Sequence, residues 1–373
     1  MTDMIAEARA FAAANVAPFA SEWEAGHGFP RETIRAAGAA GLCGLLVPTA
    51  QGGAGLDVTG FCRVMEALSE TDMAFGFALV PHNNFARSMA SEGSQAHREA
   101  YLDAMTRGQT LGAFLLTEPQ AGTNASQITT TARRVGDGWV IDGEKAWITG
   151  GIGADLLRVY AQTEPGSGGR GIGAFLVHAD QPGVERTAAY DMLGCHASGA
   201  AGVRLRGVEV GAQALFSAPG TAFADAMHAI GLARVVVAAM CLGILRNSLQ
   251  VAVAYLKERQ AFGAVLSEQQ GLRWMLADVA TDLEAASGLT YTAAGAVDRD
   301  EADAVTRAAH AKKFAARAAT DGVAACMQVL GANGFRQDRP IARHYAAAKM
   351  AHYIDGTTEV QNLLIANDLF GRG

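Results

Sequence analysis

From Ala222 to Lys257 the chain carries no proline, and most of its residues are apolar or small. Such a stretch reads as one helix reaching up to about 50 Å at 1.5 Å per residue, although Gly231 and Gly243 interrupt the propensity. Its centre, Val235 to Leu245, is the longest apolar run and is bounded by Arg234 and Arg246. A run that short cannot cross a bilayer, so no membrane insertion is expected and the helix has to bury itself in protein. Further helical patterns follow over Glu268–Gly288, Ala302–Leu330, Arg343–Tyr353 and Thr358–Leu369. Long helices joined by short loops predict an antiparallel, four-helix-type bundle.

Upstream the texture differs. Residues 1–108 place Ile5, Ala8, Phe11, Ala12 and Val16 at spacings of three and four, one buried helical stripe. Gly41–Pro48 reads as a short extended connector, and Pro81 as the restart of a helix with Asn83 and Asn84 as caps. Between 109 and 217 the pattern alternates. Leu111–Leu116, Thr129–Arg134, Trp139–Ile141, Leu156–Gln162, Ile172–Ala179 and Val203–Val210 read as strands separated by glycine turns. Short strands without intervening helices predict an antiparallel barrel or sandwich. The expected fold is therefore α+β and multidomain: helical domain 1–108, middle β domain 109–217, helical bundle 218–373. Gly166-x-Gly168-x-x-Gly171 matches the dinucleotide fingerprint in letters. That motif has to open a helix to offer phosphate the helix N-terminus; here it joins two strands and is set aside.

Net charge is −7 with no basic run, which argues against nucleic acid. Five cysteines are dispersed without CxxC spacing, as in a cytoplasmic protein with reduced thiols. No secretory signal pattern opens the chain, and the histidines show no metal-binding spacing.

Five places carry candidate chemistry. In Tyr353-Ile-Asp-Gly-Thr-Thr-Glu-Val-Gln361, Asp355 precedes a glycine, and Thr358 with Gln361 fits a capping box for the last helix. Asp355 is then either one more capping acid or a carboxylate held on a tight turn among apolar neighbours. Phe114 to Asn124 is a strand running into a proline- and glycine-shaped loop, suited to a flat, polar-edged ring but equally an ordinary barrel loop. In Gly143–Gly150, Trp147 and Thr149 would share one strand face, flanking an aromatic cofactor, unless Trp147 is barrel core. Arg259, Phe262 and Gln270 combine a charge, a ring and an amide, although Arg259 alone would suit a helix C-terminus. Gln328 and Gly331 close another helix, where a plain cap explains the glycine as well.

In this order and spacing the five motifs resemble the acyl-CoA dehydrogenase family over essentially the whole chain. The resemblance implies FAD held noncovalently between the β domain and the bundle, in a homotetramer or homodimer that shares cofactor sites. By position, Phe114, Leu116, Thr117, Gly122 and Thr123 look like the flavin-ring and phosphate loop, and Trp147 and Thr149 like the pair beside the isoalloxazine. Arg259, Phe262, Gln270, Gln328 and Gly331 look like contacts to the FAD of an adjacent subunit, and Thr357 and Glu359 like residues at its adenosine diphosphate part. Arg234, Thr123 and Gly356 fall at the substrate. Asp355 stands where the family places its catalytic glutamate. The implied reaction is α,β-dehydrogenation of an acyl thioester, on CoA or on a carrier protein, with electrons passed to an acceptor such as an electron-transfer flavoprotein.

The α-proton of a thioester is weakly acidic. The reaction asks for donors to the carbonyl oxygen, an apolar setting that raises the base's pKa, and exclusion of water. Departures gather in the substrate half. Aspartate is one methylene shorter than glutamate, and Ala233, one residue before Arg234, leaves no substitute base where some members carry theirs. His196 stands where arginine is common, Gly211 where proline is usual, and Gly231 where an aspartate often lies near pantetheine.

Overall fold

The computed structural model describes residues 2–26 and 28–371. Helices α1 (Thr2–Asn15), α2 (Ala20–Ala25), α3 (Arg31–Ala39), α4 (Val58–Ser69) and α5 (Met73–Ser91) build the first part, followed by short α6 (Gln95–His97) and α7 (Asp103–Thr106). Of the expected stripe, Ala8, Phe11, Ala12 and, just past α1, Val16 are buried, while Ile5 is half-buried. The carboxylates of Asp57 and Asp72 cap α4 and α5 by accepting from Gly60 and Phe75 N–H groups, satisfying donors that a helix start leaves orphaned. Two local expectations fail here. Gly41–Pro48 forms turns rather than extended chain, and α5 runs through Pro81 instead of restarting at it. Asn83 is no cap: buried, it donates to Leu42 and Leu79 carbonyls and accepts from Leu45 N–H. These tertiary bonds and the packing of α5 hold a helix that proline alone would weaken by about 3 kcal/mol.

The middle part is one sheet of β1 (Gly112–Leu115), β2 (Thr131–Val135), β3 (Gly138–Ile148), β4 (Leu156–Gln162), β5 (Ile172–His178), β6 (Val184–Ala189), β7 (Ala201–Val210) and β8 (Leu215–Ser217). The order is β6-β7-β3-β2-β4-β5-β8, with β1 added beside β4. Pairing is antiparallel except that β1 runs parallel to β4, which β2 also meets in parallel at Thr131 and Gln162. The chain leaves β1 through a loop and the β2–β3 hairpin before returning in β4, which leaves β1 and β4 pointing the same way. The short β6 and β8 carried no readable alternation; β6 is a half-exposed edge strand. Gly168–Gly171 forms a single 3-10 turn leading into β5, so no helix opens at the glycine-rich segment.

The last part contains α8 (Ala222–Glu258), a miniature hairpin of β9 (Gln260–Ala261) and β10 (Ala264–Val265), then α9 (Gln270–Asp298), α10 (Ala304–Leu330), α11 (Pro340–Met350) and α12 (Thr358–Leu369). Helix α8 is buried without a gap from Leu232 to Leu245 and packs against α10, α4, α9 and α11. The helix as a whole is long and apolar enough to span a membrane, but 78% of its apolar window is buried inside the protein, as in a core helix. Gly243 lets α4 approach: a Cβ there would lie 2.3 Å from the Glu66 carbonyl oxygen. All five cysteines are buried free thiols.

Candidate functional site

Asp355 sits in the turn between α11 and α12 with φ +50°, followed by Gly356 at φ +94°. Successive left-handed residues are strained for any side chain, least so for Asp and Gly. Four groups pin the turn. The Lys312 ammonium donates to the carbonyls of Ile354 and Gly356, on either side of Asp355. Arg234 Nε reaches the Asp355 carbonyl at 3.4 Å, and Gln361 Nε2 the Gly356 carbonyl at 2.9 Å. The Thr357 hydroxyl accepts from Val360 N–H and caps α12. The cap therefore lies one residue before the expected Thr358, whose hydroxyl instead pairs with His352 Nδ1 at 2.9 Å.

Asp355 itself does no capping. Although the residue as a whole is half-buried, its Oδ2 is closed off from solvent and has no hydrogen-bond partner. Burial raises its pKa, while the charges of Lys312 and Arg234 work against that rise. Its backbone N–H has no acceptor among the described residues. One residue thus offers an unsatisfied acceptor and an unsatisfied donor on a fixed backbone, which is what a reacting thioester requires.

The second wall comes from the β domain. Phe114 at the end of β1 lies 4.9 Å from the Tyr160 ring. The loop after it is held by a buried ion pair, Glu118 to Lys145 Nζ at 2.8 Å. Lys145 also donates to the Leu116 carbonyl, and Glu118 accepts from Thr129 N–H and hydroxyl and from Thr130 N–H. Burial opposes ionisation of Glu118, but Lys145 and these donors carry its pKa down to about 2. The Thr117 carbonyl accepts from Ala146 N–H at 2.9 Å, which sets the loop beside Trp147. Thr123 is exposed, and a Cβ on Gly122 would meet nothing within 4 Å, so that side of the loop is open to a ligand.

Trp147 departs from strand alternation. Pairing between β3 and β7 breaks between Lys145 and Ile148, and Trp147 takes φ +60°. Such a bulge re-aims a side chain: the indole is 60% exposed and lies 4.3 Å from the Tyr190 ring, not in the barrel core. Thr149 follows the strand, half-buried. The regular alternation on which a shared face was expected is interrupted at Trp147 by this bulge.

The remaining candidates lie away from Asp355's turn. Arg259 ends α8, Phe262 tops the β9–β10 hairpin at φ +55° and 98% exposure, and Gln270 opens α9. Gln328 and Gly331 end α10, and Asn333 just beyond donates to the Tyr255 hydroxyl of α8. The ends of α8 and α10 are thereby tied together. Arg259, Gln270, Gln328 and Gly331 are exposed in the single chain, as is Glu359. Non-glycine residues at positive φ among the described residues are Trp147, Cys195, Phe262, Asp300 and Asp355; three of these are site candidates.

Lys312 was missed in sequence. Its signal is a lysine inside the buried alanine stripe of α10, among Ala308, Ala309, Ala311, Ala315 and Ala316; it is 2% exposed. Of the departures, Ala233 is buried, and His196 N–H and Nδ1 meet the Glu24 carboxylate.

Three family models match in register: acyl-CoA dehydrogenase N-terminal domain over residues 2–109, middle domain over 113–208 and C-terminal domain over 221–370. Human mitochondrial short-chain specific acyl-CoA dehydrogenase is 34% identical over 362 residues, 97% of this chain and 88% of that protein. The chain belongs to the acyl-CoA dehydrogenase family. A short-chain specific acyl-CoA dehydrogenase of Clostridium acetobutylicum is likewise 34% identical, over 97% of this chain and 96% of its own length. The solved butyryl-CoA dehydrogenase of Megasphaera elsdenii superposes with a TM-score of 0.95 at 31% identity, covering 99% of this chain and 97% of that one. Acyl-CoA dehydrogenases are FAD-binding oxidoreductases acting on a CH–CH group, and the expected fold and cofactor agree with this membership.

Proposed function

We propose that this acyl-CoA dehydrogenase removes the α-proton of an acyl thioester with the Asp355 carboxylate. The observation that carries the proposal is the solvent-shielded, unpartnered Oδ2 on a turn pinned by Lys312, Arg234, Gln361 and Thr357. A carboxylate kept from water with its pKa raised is a stronger base toward carbon than a solvated one. The free Asp355 N–H donates to the thioester oxygen as negative charge develops there. Arg234, 8% exposed, adds positive charge on that side, and Gly356 and Thr123 border the thioester. Bound FAD supplies the acceptor for the β-hydride. Phe114, Leu116, Thr117, Gly122, Thr123, Trp147 and Thr149 hold its ring and phosphates, and Thr357 and Glu359 its adenosine diphosphate part. The exposed set Arg259, Phe262, Gln270, Gln328 and Gly331 meets the cofactor of a second subunit in a homotetramer or homodimer.

We further take the protein to be cytoplasmic, divided as 1–108, 109–217 and 218–373, and to pass its electrons to an electron-transferring flavoprotein. The short base, with Ala233 leaving no alternative, favours a second reading in which the thioester is carried on a protein. Anaerobic titration of the FAD-loaded protein against acyl-CoAs of graded length and against acyl-carrier protein separates the cases. Bleaching of the flavin by an acyl-CoA is expected. Bleaching by acyl-carrier protein alone moves the substrate to the second reading, and no bleaching by any thioester refutes dehydrogenation.

A further inference from the structure

We infer that Lys312 is a positioning residue for the reaction, holding the Asp355 turn in its left-handed shape through two carbonyls while placing a buried positive charge next to the Asp355 carboxyl without bonding it. The inference rests on the reading of Asp355 as base. Lys312 lies on α10, a different element from the turn, with its ammonium buried. It spends its hydrogen bonds on the carbonyls of Ile354 and Gly356 and none on the carboxylate. A buried lysine beside a buried carboxylate would ordinarily form a direct pair, as Lys145 does with Glu118. Here the cation is diverted to the backbone, so the acid is left as a bare base with a nearby countercharge.

The surrounding groups give Lys312 no competing role. From α8, Arg234 and the Cys241 thiol face it. From the end of α11 come His352, which pairs with Thr320 and Thr358, and Lys349, which lies over the Tyr353 ring. From α12 the turn meets the neutral Gln361 amide. Asp355 is the carboxylate that Lys312 feels, and Lys312 and Arg234 are the cations that Asp355 feels. Burial lowers the Lys312 pKa to about 8, so the ammonium is charged at neutrality and close to losing its proton.

Isotope-edited infrared titration of the Asp355 carboxyl in the FAD-loaded protein, assigned by loss of the band in Asp355→Asn, tests this without substrate. Lys312→Met and Lys312→Gln should both move that titration upward by about one unit or more, the usual effect of a neighbouring opposite charge. In anaerobic reduction by butyryl-CoA, the acid limb of the rate should shift with it. Lys312→Met should also lower the plateau rate by about tenfold to a hundredfold, the scale of a displaced base, whereas Lys312→Gln, which still donates a hydrogen bond, should lose less. A merely structural lysine would lower thermal stability and leave the titration in place, and that result overturns the inference. Should both variants lose flavin, the wild-type carboxylate band must shift as the pH is raised from neutrality through the ordinary lysine range, below which burial draws the Lys312 proton loss; a band stationary over that whole range overturns the inference too. Asp355→Asn run alongside separates the two layers. Retained reduction there refutes the base assignment, while a dead Asp355→Asn with unmoved Lys312 variants refutes only the role of Lys312.

Discussion

The molecule buries two lysines beside two carboxylates and uses them in opposite ways. In the β domain, Lys145 and Glu118 pair directly at 2.8 Å, and four further donors from Gln120, Thr129 and Thr130 complete the carboxylate. Its pKa falls to about 2, and the loop from Leu116 to Thr123 is fixed. In the bundle, Lys312 ties down backbone carbonyls, and Asp355 keeps an oxygen without a partner and a raised pKa. Both acids suffer burial; the difference is whether donors are supplied to the carboxylate itself. A saturated acid is a strut. An unsaturated one, held still by a cation that declines to bond it, remains available to take a proton.

The largest effects should divide along that line. Asp355→Asn should slow flavin reduction by at least about 10²–10⁴-fold, the range for losing a general base, while flavin content and melting temperature stay near wild type. Stopped-flow reduction together with absorbance of the isolated holoprotein checks both halves, and a destabilised but active variant would reverse the assignment. Glu118→Ala should do the opposite. It strands Lys145 in the interior, which costs about 3–5 kcal/mol, and it frees the loop after β1 proposed to hold the flavin, so denaturant unfolding should shift and FAD should be lost on gel filtration. Adding Lys145→Met to it should restore much of the stability by removing the stranded charge. No recovery in the double variant would mean that the loop, not the unpaired ammonium, sets the loss.

Burial should act with inverted sign on a buried base that lacks a counterion. His82 bonds the Met105 carbonyl through Nε2 and Gly112 N–H through Nδ1, a neutral tautomer by assignment. Burial lowers its pKa to about 4, and that of His344 to about 3. The unfolded chain takes up these protons below about pH 6.5 while the fold refuses them. Their contribution to stability is complete above that pH and is lost as pH falls toward about 4 for His82 and about 3 for His344. At about 1.4 kcal/mol per unit, the gap is worth on the order of 3 kcal/mol for His82 and on the order of 5 kcal/mol for His344. Urea unfolding followed from neutral to acid pH should show the loss, and His82→Gln, which keeps one donor and one acceptor, should flatten it. Parallel curves for the two proteins would contradict this account of burial.

Much of the fold could be read from periodicity. The expected α12 coincides with the observed Thr358–Leu369 because the Gly-Thr-Thr start marks a helix N-terminus, and β4 with Leu156–Gln162 because a short apolar run between turn residues reads as a buried strand. What was illegible depended on partners remote in sequence. Helix α5 passes through Pro81 in a region stitched by Asn83 to Leu42 and Leu45, and no local rule reports those bonds. β1 pairs in parallel with a strand that starts 44 residues later, at Leu156. Trp147 was readable as a candidate but not as an exposed one, since its bulge is imposed by β7. Lys312 was hidden because a lone lysine on an alanine-rich helix looks like a solvated charge; only the docking of α10 beneath the turn makes it buried.

The smallest test concerns the cap that was misplaced by one residue. Thr357 and Thr358 are adjacent hydroxyls, and either could have opened α12 from sequence alone. Thr357 takes φ −63° and ψ 168°, the extended geometry of a cap, and accepts from Val360 N–H, while Thr358 turns to His352. Thr357→Ala should cost about 1 kcal/mol, read as a lowered melting temperature. The helix start it loosens is the same backbone that carries Gly356, one end of the Lys312 clamp. If the clamp rather than the cap fixes the base, Thr357→Ala should leave the acid limb of flavin reduction where it is, although flavin affinity falls. Thr358→Ala, which breaks only the His352 contact, should be milder on stability than Thr357→Ala. An acid limb that shifts in Thr357→Ala would show that α12, and not α10, controls the Asp355 carboxylate, and the contrast between the two buried lysines would then lose its bundle half.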